Sequence, residues 1–124
     1  AASFAAKLAD TFGSEIGKRY GKNTFLITTF KKVRQGTEGA ISLEGTIASL
    51  FGALIMSFVM FILGFITIEK GFFIVCFSGF AATIFESFIG ATFQDKFNLS
   101  NEAVNAIQTS FSATLAIFSY KFIF

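Results

Sequence analysis

Histidine, proline and tryptophan are missing from this 124-residue chain, and cysteine occurs once, as Cys76. A chain without histidine cannot build a zinc site with imidazole ligands or a Ser-His-Asp or Cys-His catalytic centre. A single cysteine cannot form an internal disulfide. The chemistry that remains uses carboxylates, lysines, hydroxyls and backbone amides. This set suits magnesium and phosphate better than acyl transfer.

Charge is scarce, and the apolar content is high. Charged residues make up 15% of the chain and apolar residues 53%, with twenty phenylalanines and a mean hydropathy of +0.67. Such a composition is typical of a chain in contact with lipid. The net charge of +2 is too small to imply a nucleic-acid partner. Six of the ten basic residues nevertheless lie in one 17-residue stretch, from Lys18 to Arg34.

Three stretches reach the length of roughly 20 apolar residues that an α-helix needs to cross a bilayer. They cover about residues 47–68, 71–93 and 103–124. Because apolar residues do not alternate with a period of two, we predict helices. The predicted fold class is an all-α, polytopic transmembrane protein with three spans after a partial N-terminal helix. We expect residues 1–124 to form a single membrane domain, and we expect a fragment or a processed product of a longer protein, since the chain opens on AASFAAKLAD without a methionine.

The basic residues also predict the orientation in the membrane. Lysine and arginine are retained on the cytoplasmic side or its organellar equivalent, so the basic stretch before the first span should face that side. The Glu69–Lys70 turn then lies on the far side, and the loop 94–102 returns to the basic side. Asp10, Glu15 and the loop 31–45 are therefore expected to meet the loop 94–102 at one face of the membrane.

Small residues mark a face on which the first span should pack. Gly45, Ser49, Ala53 and Ser57 follow a small-xxx-small pattern, which lets helix backbones approach closely. The pattern predicts helix–helix contacts, either within this chain or with another membrane protein.

Glu86 is the one charged residue of the second predicted span. A carboxylate buried in a membrane costs several kcal/mol unless it is paired, protonated or bound to a cation. It can be a protonated structural residue that hydrogen-bonds to a neighbouring helix, or the wall of a site near a cation or a substrate hydroxyl. We favour the second interpretation, because Gln94 and Asn105 flank it, and we predict a catalytic role.

Two further carboxylates lie near the N-terminus. Asp10 stands in the apolar segment AASFAAKLADTFG and shares a helix face with Ser14, four residues later. A role as a magnesium ligand suits it. Glu15 lies on another face, where a surface pair with Arg19 explains it equally well.

The loop 31–45 combines basic residues with glycines. Its GTEGAISLEG segment holds three glycines, two hydroxyls and two carboxylates, and Lys31, Lys32 and Arg34 precede it. Glycines let backbone amides approach an anion, and a helix that begins at Gly45 would direct its positive end to the same place. We therefore expect phosphate binding here, although retention of anionic lipid headgroups explains the composition equally well.

The sequence resembles a known family. The resemblance is carried by the run KLADTFGSEIGKRYGKNTFLITTFKKVRQGTEGAISLEGTIASLFGA (Lys7–Ala53) and by ESFIGATFQ (Glu86–Gln94) and LSNEAVN (Leu99–Asn105) in the same order. These segments are similar to the phytyl-phosphate kinase family of plastids and cyanobacteria, part of a wider group of integral membrane proteins long described as a domain of unknown function. The resemblance covers nearly all of the chain and implies that the chain is the C-terminal half of a family member.

The resemblance implies a polytopic membrane kinase that converts phytyl monophosphate to phytyl diphosphate for tocopherol-type prenyl-lipid synthesis. The implied location is a plastid membrane (thylakoid or envelope) or a cyanobacterial membrane. A nucleoside triphosphate is the implied co-substrate, and Mg²⁺ is the inferred cofactor. The expected partners are membrane lipid, the prenyl phosphate and the nucleotide.

The family's recurring polar positions carry over onto this chain, and we assign their roles by chemistry. The expected catalytic residues are Asp10, Glu15 and Glu86. The expected metal ligands are Asp10, Glu15 and Asn101. The residues expected to contact the nucleotide and the phosphates are Lys31, Lys32, Gly36, Thr37, Glu38, Gly39, Ser42, Gly45, Gln94 and Asn105.

Two other functions stay open at this point. Small-residue faces also suit a non-catalytic integral membrane subunit, or a fragment, packed within a larger membrane complex. An enzyme of the same fold could instead act on another prenyl or lipid phosphate. A homo-oligomer or a larger membrane complex also stays open.

Overall fold

The computed structural model describes residues 1–94 and 96–123. In chain order the elements are α1 (Ala2–Tyr20), β1 (Thr24–Leu26), β2 (Ala40–Ser42), α2 (Leu43–Ile62), α3 (Gly71–Thr92) and α4 (Asn101–Ile123). The helices account for most of the described chain, as predicted.

The two short strands correct the prediction of an all-α chain. β1 and β2 pair antiparallel, with Thr24 opposite Ser42 and Leu26 opposite Ala40. Each strand has three residues, which is too short for an alternating apolar pattern to be recognised. The two strands and the loop between them form a hairpin (residues 24–42). Because β1 follows α1 and β2 runs directly into α2, this hairpin connects the two helices at one end of the bundle.

Helix α1 is the centre of the bundle. It contacts α2 most extensively and also contacts α3 and α4. Two hydroxyls connect it to α4: Ser3 Oγ donates to the Thr109 carbonyl at 2.8 Å, and Ser112 Oγ donates to the Ala2 carbonyl at 2.9 Å. Hydrogen bonds of this kind stabilise helix contacts where lipid removes the hydrophobic drive for association.

Small side chains fill the interior of the bundle, and large apolar ones cover the outside. Ala5, Ala9 and Ala53 are fully buried, whereas Phe51 and Phe58 are more than half exposed, as are many of the other phenylalanines. In water, exposed apolar surface costs about 25 cal/mol per Å². Lipid removes that cost, so this distribution fits a bundle that faces hydrocarbon.

Helices α2 and α3 are long and apolar enough to cross a membrane. At about 1.5 Å per residue, a helix of the length of α2 matches the hydrocarbon core of a bilayer. The predicted span 71–93 agrees with α3 to within one residue. The predicted span 47–68 does not match α2 at its end, because the helix ends at Ile62 and Gly64 adopts a φ of +80°.

The third predicted span is not confirmed. Helix α4 (Asn101–Ile123) includes residues 103–123 of the predicted span 103–124. Phe124 lies outside the described residues. Asn105 and Gln108 in its first half and Lys121 in its last turn make α4 less apolar than α2 or α3. Among residues 1–94 and 96–123, the candidate spans are therefore α2 and α3.

Candidate functional site

A cavity of about 170 Å³ lies where the hairpin joins α1 to α2. It is lined by α1, by the hairpin, by the first turns of α2 and by α3. The lining residues of α1 recur at intervals of three or four and so occupy one face of the helix; they are Asp10, Gly13, Ser14, Gly17 and Lys18.

Close packing of α1 on α2 holds that face in place. A side-chain carbon added to Gly45 would lie 2.9 Å from the Gly13 carbonyl oxygen, and one added to Gly52 would lie 2.9 Å from the Cα atom of Ala9. Ser49 is buried in the same contact, where its hydroxyl donates to the Gly45 carbonyl at 3.0 Å. The small-residue face predicted on the first span therefore packs against α1 of the same chain.

The glycine segment of the hairpin is anchored on the end of α3. Gly39 adopts a φ of +78°, which favours glycine, and a side-chain carbon there would collide with Ala91. A carbon added to Gly90 would lie 3.0 Å from the Gly39 amide nitrogen. Gly36 also has a positive φ, of +86°, but within the described chain it faces open space. These contacts fix the glycine segment at the rim of the cavity.

Helix α2 begins at the cavity with a capped N-terminus. The Oγ atom of Ser42 accepts a hydrogen bond from the Gly45 amide at 3.1 Å, and the Thr46 hydroxyl donates to the Ser42 carbonyl at 2.8 Å. All three residues line the cavity. The partial positive charge of the helix N-terminus therefore lies beside it.

Among the described residues, three carboxyl groups border the cavity, and two of them face each other. Asp10 on α1 and Glu86 on α3 are close enough for a hydrogen bond between their carboxyls, and Glu38 of the hairpin adds negative charge near Glu86. Two carboxyls this close hold either a shared proton or a cation between them.

Burial raises the pKa of Asp10, although the Lys7 ammonium and the hydrogen bond with Glu86 partly lower it. Lys7 Nζ lies 3.7 Å from the Asp10 carboxylate. The Lys7 side chain is 50% exposed and the Asp10 side chain 15%. The lysine is thus well hydrated and does not offset the full cost of burying the carboxylate.

The acidic donor set is compatible with magnesium. Across residues 1–94 and 96–123, no three carboxylate, thiol or imidazole groups are close enough to form a metal site by themselves. Magnesium usually takes only one or two carboxylates from a protein and completes its octahedral shell with phosphate oxygens and water. Asp10 and Glu86 supply such a pair.

Cationic charge at the cavity comes from Lys18 of α1. Lys31, Lys32 and Arg34 are exposed and lie outside the cavity lining. They form the basic outer surface of the hairpin. The basic residues of the loop are therefore separated from the acidic cavity.

The structure brings together eight of the predicted site residues. Those that line the cavity are Asp10, Gly36, Thr37, Glu38, Gly39, Ser42, Gly45 and Glu86. Those that lie outside it are Glu15, Lys31, Lys32, Gln94, Asn101 and Asn105.

The polar residues outside the cavity have other settings. Glu15 is exposed on another face of α1. Gln94 is buried after the end of α3, and its Nε2 donates to Asn101 Oδ1 at 3.0 Å. The Asn105 carbonyl accepts a hydrogen bond from the Thr109 hydroxyl at 3.0 Å. The Gln94–Asn101 pair thus stabilises the connection between α3 and α4.

Several lining residues were not predicted as site residues, among them Gly13, Gly17, Lys18, Thr24, Thr46, Ser49, Thr83 and Ser87. Helical spacing from Asp10 would have identified the residues of α1, because they share its face. Thr24 carries no such signal. It reaches the cavity because β1 pairs with β2, which the sequence pattern does not reveal.

Comparison with known proteins supplies the family. A family described as "Integral membrane protein DUF92" matches residues 1–113 of this chain. The chain belongs to the DUF92 family. It is 48% identical over 124 residues to Protein VTE6, chloroplastic, of Arabidopsis thaliana. The matched region covers 98% of this chain and 37% of that protein. It is 49% identical over 117 residues to the membrane protein sll0875 of Synechocystis, which covers 94% of this chain and 45% of that protein.

A DUF92 relative also occurs in an archaeon. The chain is 36% identical over 120 residues to the membrane protein MJ0933 of Methanocaldococcus jannaschii, which covers 95% of this chain and 49% of that protein. The chain therefore spans about half of the length of its relatives, or less. No solved structure matches the chain significantly. DUF92 membership confirms the prediction of an integral membrane protein with plastid and cyanobacterial relatives.

Proposed function

We propose that this DUF92 chain is part of a membrane kinase that transfers the terminal phosphoryl group of a nucleoside triphosphate to phytyl monophosphate. The bond between the γ-phosphorus and its bridging oxygen breaks, and the same phosphorus bonds to a phosphate oxygen of phytyl monophosphate. The products are phytyl diphosphate, for tocopherol-type prenyl-lipid synthesis, and a nucleoside diphosphate. The main support is the cavity in which Asp10 and Glu86 face each other beside the start of α2. The resemblance to phytyl-phosphate kinases supplies the substrate class.

An acidic cavity suits phosphoryl transfer only if a cation neutralises the repulsion between carboxylates and phosphates. Asp10 and Glu86, with Glu38 nearby, are the residues that would hold Mg²⁺. When bound, Mg²⁺ supplies charge neutralisation for the phosphates of the donor. Phosphoryl transfer otherwise needs positioning and electrostatic stabilisation from the protein rather than covalent chemistry.

The hairpin and the start of α2 provide the positioning. Gly36 turns the chain at positive φ, lines the cavity and faces open space within the described chain, so a phosphate can approach the backbone there without meeting a side chain. The N-terminus of α2 adds a partial positive charge. Lys18 adds a full positive charge from the facing helix.

The interface between α1 and α2 cannot hold the prenyl tail. α1 and α2 are in backbone contact at Ala9 and Gly52, and this leaves no gap for an alkyl chain between them. Large apolar side chains instead cover the outer surfaces of the helices, as at Phe51 and Phe58. We place the tail along this outer surface, in the lipid, with the phosphate at the cavity.

The exposed basic surface of the hairpin has a separate role in this proposal. Lys31, Lys32 and Arg34 are free to contact anionic headgroups at the membrane surface, an interaction of about 1 kcal/mol for each basic residue. Such contacts hold the hairpin at the surface and raise the local concentration of anionic substrates.

The alternative of a non-catalytic membrane subunit has weaker support. It was suggested by the small-residue face of Gly45, Ser49, Ala53 and Ser57. These residues are buried within the chain, where α1 packs on α2. That face is therefore already occupied and is not available to another protein.

The proposal is tested with the full-length protein in lipid nanodiscs with magnesium and γ-labelled ATP, CTP, GTP or UTP. Phytyl phosphate is the acceptor in one arm, and a shorter prenyl phosphate is the acceptor in the other. We expect labelled phytyl diphosphate with at least one nucleotide. If only the shorter prenyl phosphate becomes labelled, the substrate is that shorter prenyl phosphate and not phytyl phosphate. No product in either arm, from folded protein, would contradict the kinase and favour the subunit.

A further inference from the structure

Thr24 carries a buried hydroxyl that the fold leaves without a partner. It is the first residue of β1, is 7% exposed and lines the cavity. Within residues 1–94 and 96–123, its Oγ1 atom has no hydrogen-bond partner. Folding normally satisfies buried hydroxyls, because an unpaired one costs stability. The cavity is therefore lined by a residue whose buried hydroxyl has no partner within the described chain.

Other hydroxyls at the cavity are already used by the backbone. Each donates to a carbonyl three or four residues earlier, at 2.7–3.1 Å; they belong to Thr37, Thr46, Ser49 and Thr83. Thr24 lies in a strand, and no carbonyl of the described residues accepts a hydrogen bond from its hydroxyl. Its hydroxyl thus differs from these four in being free to bind a ligand.

The strand pairing places Thr24 beside the start of α2. Thr24 lies directly opposite Ser42, the N-cap of that helix. Ser42 Oγ is occupied, because it accepts the hydrogen bond from the Gly45 amide. A hydroxyl donor next to a helix N-terminus favours an anion, since both present positive charge to it. The carboxyls of Asp10 and Glu86 belong to other elements, α1 and α3.

We infer that Thr24 Oγ1 donates a hydrogen bond to a phosphate oxygen of a substrate bound at the N-terminus of α2. This assignment rests on the proposed function and adds a binding residue that no motif of the sequence marks. The phosphate belongs either to the nucleotide or to the prenyl phosphate. The two share their chemistry and are separated by experiment.

The test compares Thr24→Val and Thr24→Ser with Thr29→Val in the full-length protein. Valine has the shape of threonine and suits a strand, so Thr24→Val removes the hydroxyl and keeps the fold. Serine retains the donor. Thr29 lies on the same hairpin but is exposed and outside the cavity, which makes it the matched control. Thermal unfolding with and without each phosphate ligand reports binding, and the transfer assay reports KM and kcat for each substrate.

We expect Thr24→Val to be as stable as wild type or more stable without ligand, because it loses an unpaired buried hydroxyl. Its KM for one phosphate substrate should rise on the order of 10- to 100-fold, the usual effect of losing a hydrogen bond to a charged group. Thr24→Ser should have a KM close to that of wild type, because it keeps the donor. Thr29→Val should behave as wild type. If only the KM for the nucleotide rises, Thr24 binds the phosphate of the donor. If only the KM for the prenyl phosphate rises, Thr24 binds the phosphate of the acceptor.

Two results with the Thr24 variants would overturn the inference. One is equal ligand stabilisation and equal KM in wild type and Thr24→Val. The other is a loss that Thr24→Ser does not recover, which would indicate a packing role. Failure of the proposed function is recognised separately: wild type would bind phosphate ligands and not transfer. Wild type that binds neither the nucleotide nor phytyl phosphate would overturn both.

Discussion

The backbone of Gly39 rests against Ala91, so the hairpin between α1 and α2 is fastened to the end of α3. The contact closes a ring of elements around the cavity: α1, the hairpin, the start of α2, and α3. It depends on the lack of a side chain at Gly39 and on its φ of +78°. The position of the glycine segment is therefore set by packing as well as by local conformation.

Alanine at Gly39 should destabilise the protein more than alanine at Gly36. Both substitutions force a side chain into a positive φ, at a cost of about 1–2 kcal/mol. Only Gly39→Ala also collides with Ala91, whereas Gly36 faces open space within the described chain. Thermal unfolding of the two variants in detergent measures the difference. Equal losses of stability would show that the contact with α3 does not hold the hairpin.

Leucine at Ala9 should disrupt the bundle. Ala9 is fully buried and lies against the backbone of Gly52, so a larger side chain must separate α1 from α2, at a cost of about 1–3 kcal/mol or more. Ala106 of α4 is exposed, and Ala106→Leu is the matched control, expected to change stability little. Unfolding midpoints measure both. A stable Ala9→Leu variant would contradict the close packing of α1 on α2.

Asp10 should make the protein less stable as the pH rises. Burial raises the pKa of Asp10 in the folded protein, so the folded state holds this proton more tightly than the unfolded chain does. The contribution of this proton to the free energy of unfolding is complete below the ordinary aspartate pKa of about 3.9. It is lost as the pH rises through the pKa that Asp10 has in the folded protein. The asparagine side chain cannot ionise, so Asp10→Asn should lack this pH-dependent part of the stability.

The measurement is the unfolding midpoint between about pH 4 and pH 8 for wild type, Asp10→Asn and Glu15→Gln. Glu15 is an exposed carboxylate on the same helix, and its variant should follow wild type. The same pH dependence in wild type and Asp10→Asn would show that Asp10 is not held in a costly environment.

The sequence predicted the parts of the fold that depend on local pattern. The apolar run 71–93 matches α3, and the small-residue pattern from Gly45 to Ser57 forms the buried face of α2. The end of α2 could not be predicted, because apolar residues continue through Ile68 while the chain turns at Gly64. The strands were missed because three residues give no period.

The site was predictable where chemistry is unusual for its surroundings. Asp10 and Glu86 are carboxylates in apolar segments, and the structure brings them together. Lys31 and Lys32, which were expected at the phosphates, lie outside the cavity, and their contact with phosphate stays a prediction. Composition cannot show on which side of a hairpin a lysine lies. Thr24 could not be predicted either, because its role depends on pairing with Ser42.

The central claim is that phosphoryl transfer takes place at the cavity between Asp10 and Glu86. It is tested most directly by the rate of transfer to phytyl phosphate in Asp10→Asn and Glu86→Gln, with Glu15→Gln as the control. The first two should lose activity on the order of 100- to 1,000-fold, the usual effect of removing one group that stabilises transition-state charge. Glu15→Gln should keep wild-type activity. Full activity in Asp10→Asn and Glu86→Gln, or a loss confined to Glu15→Gln, would contradict the account.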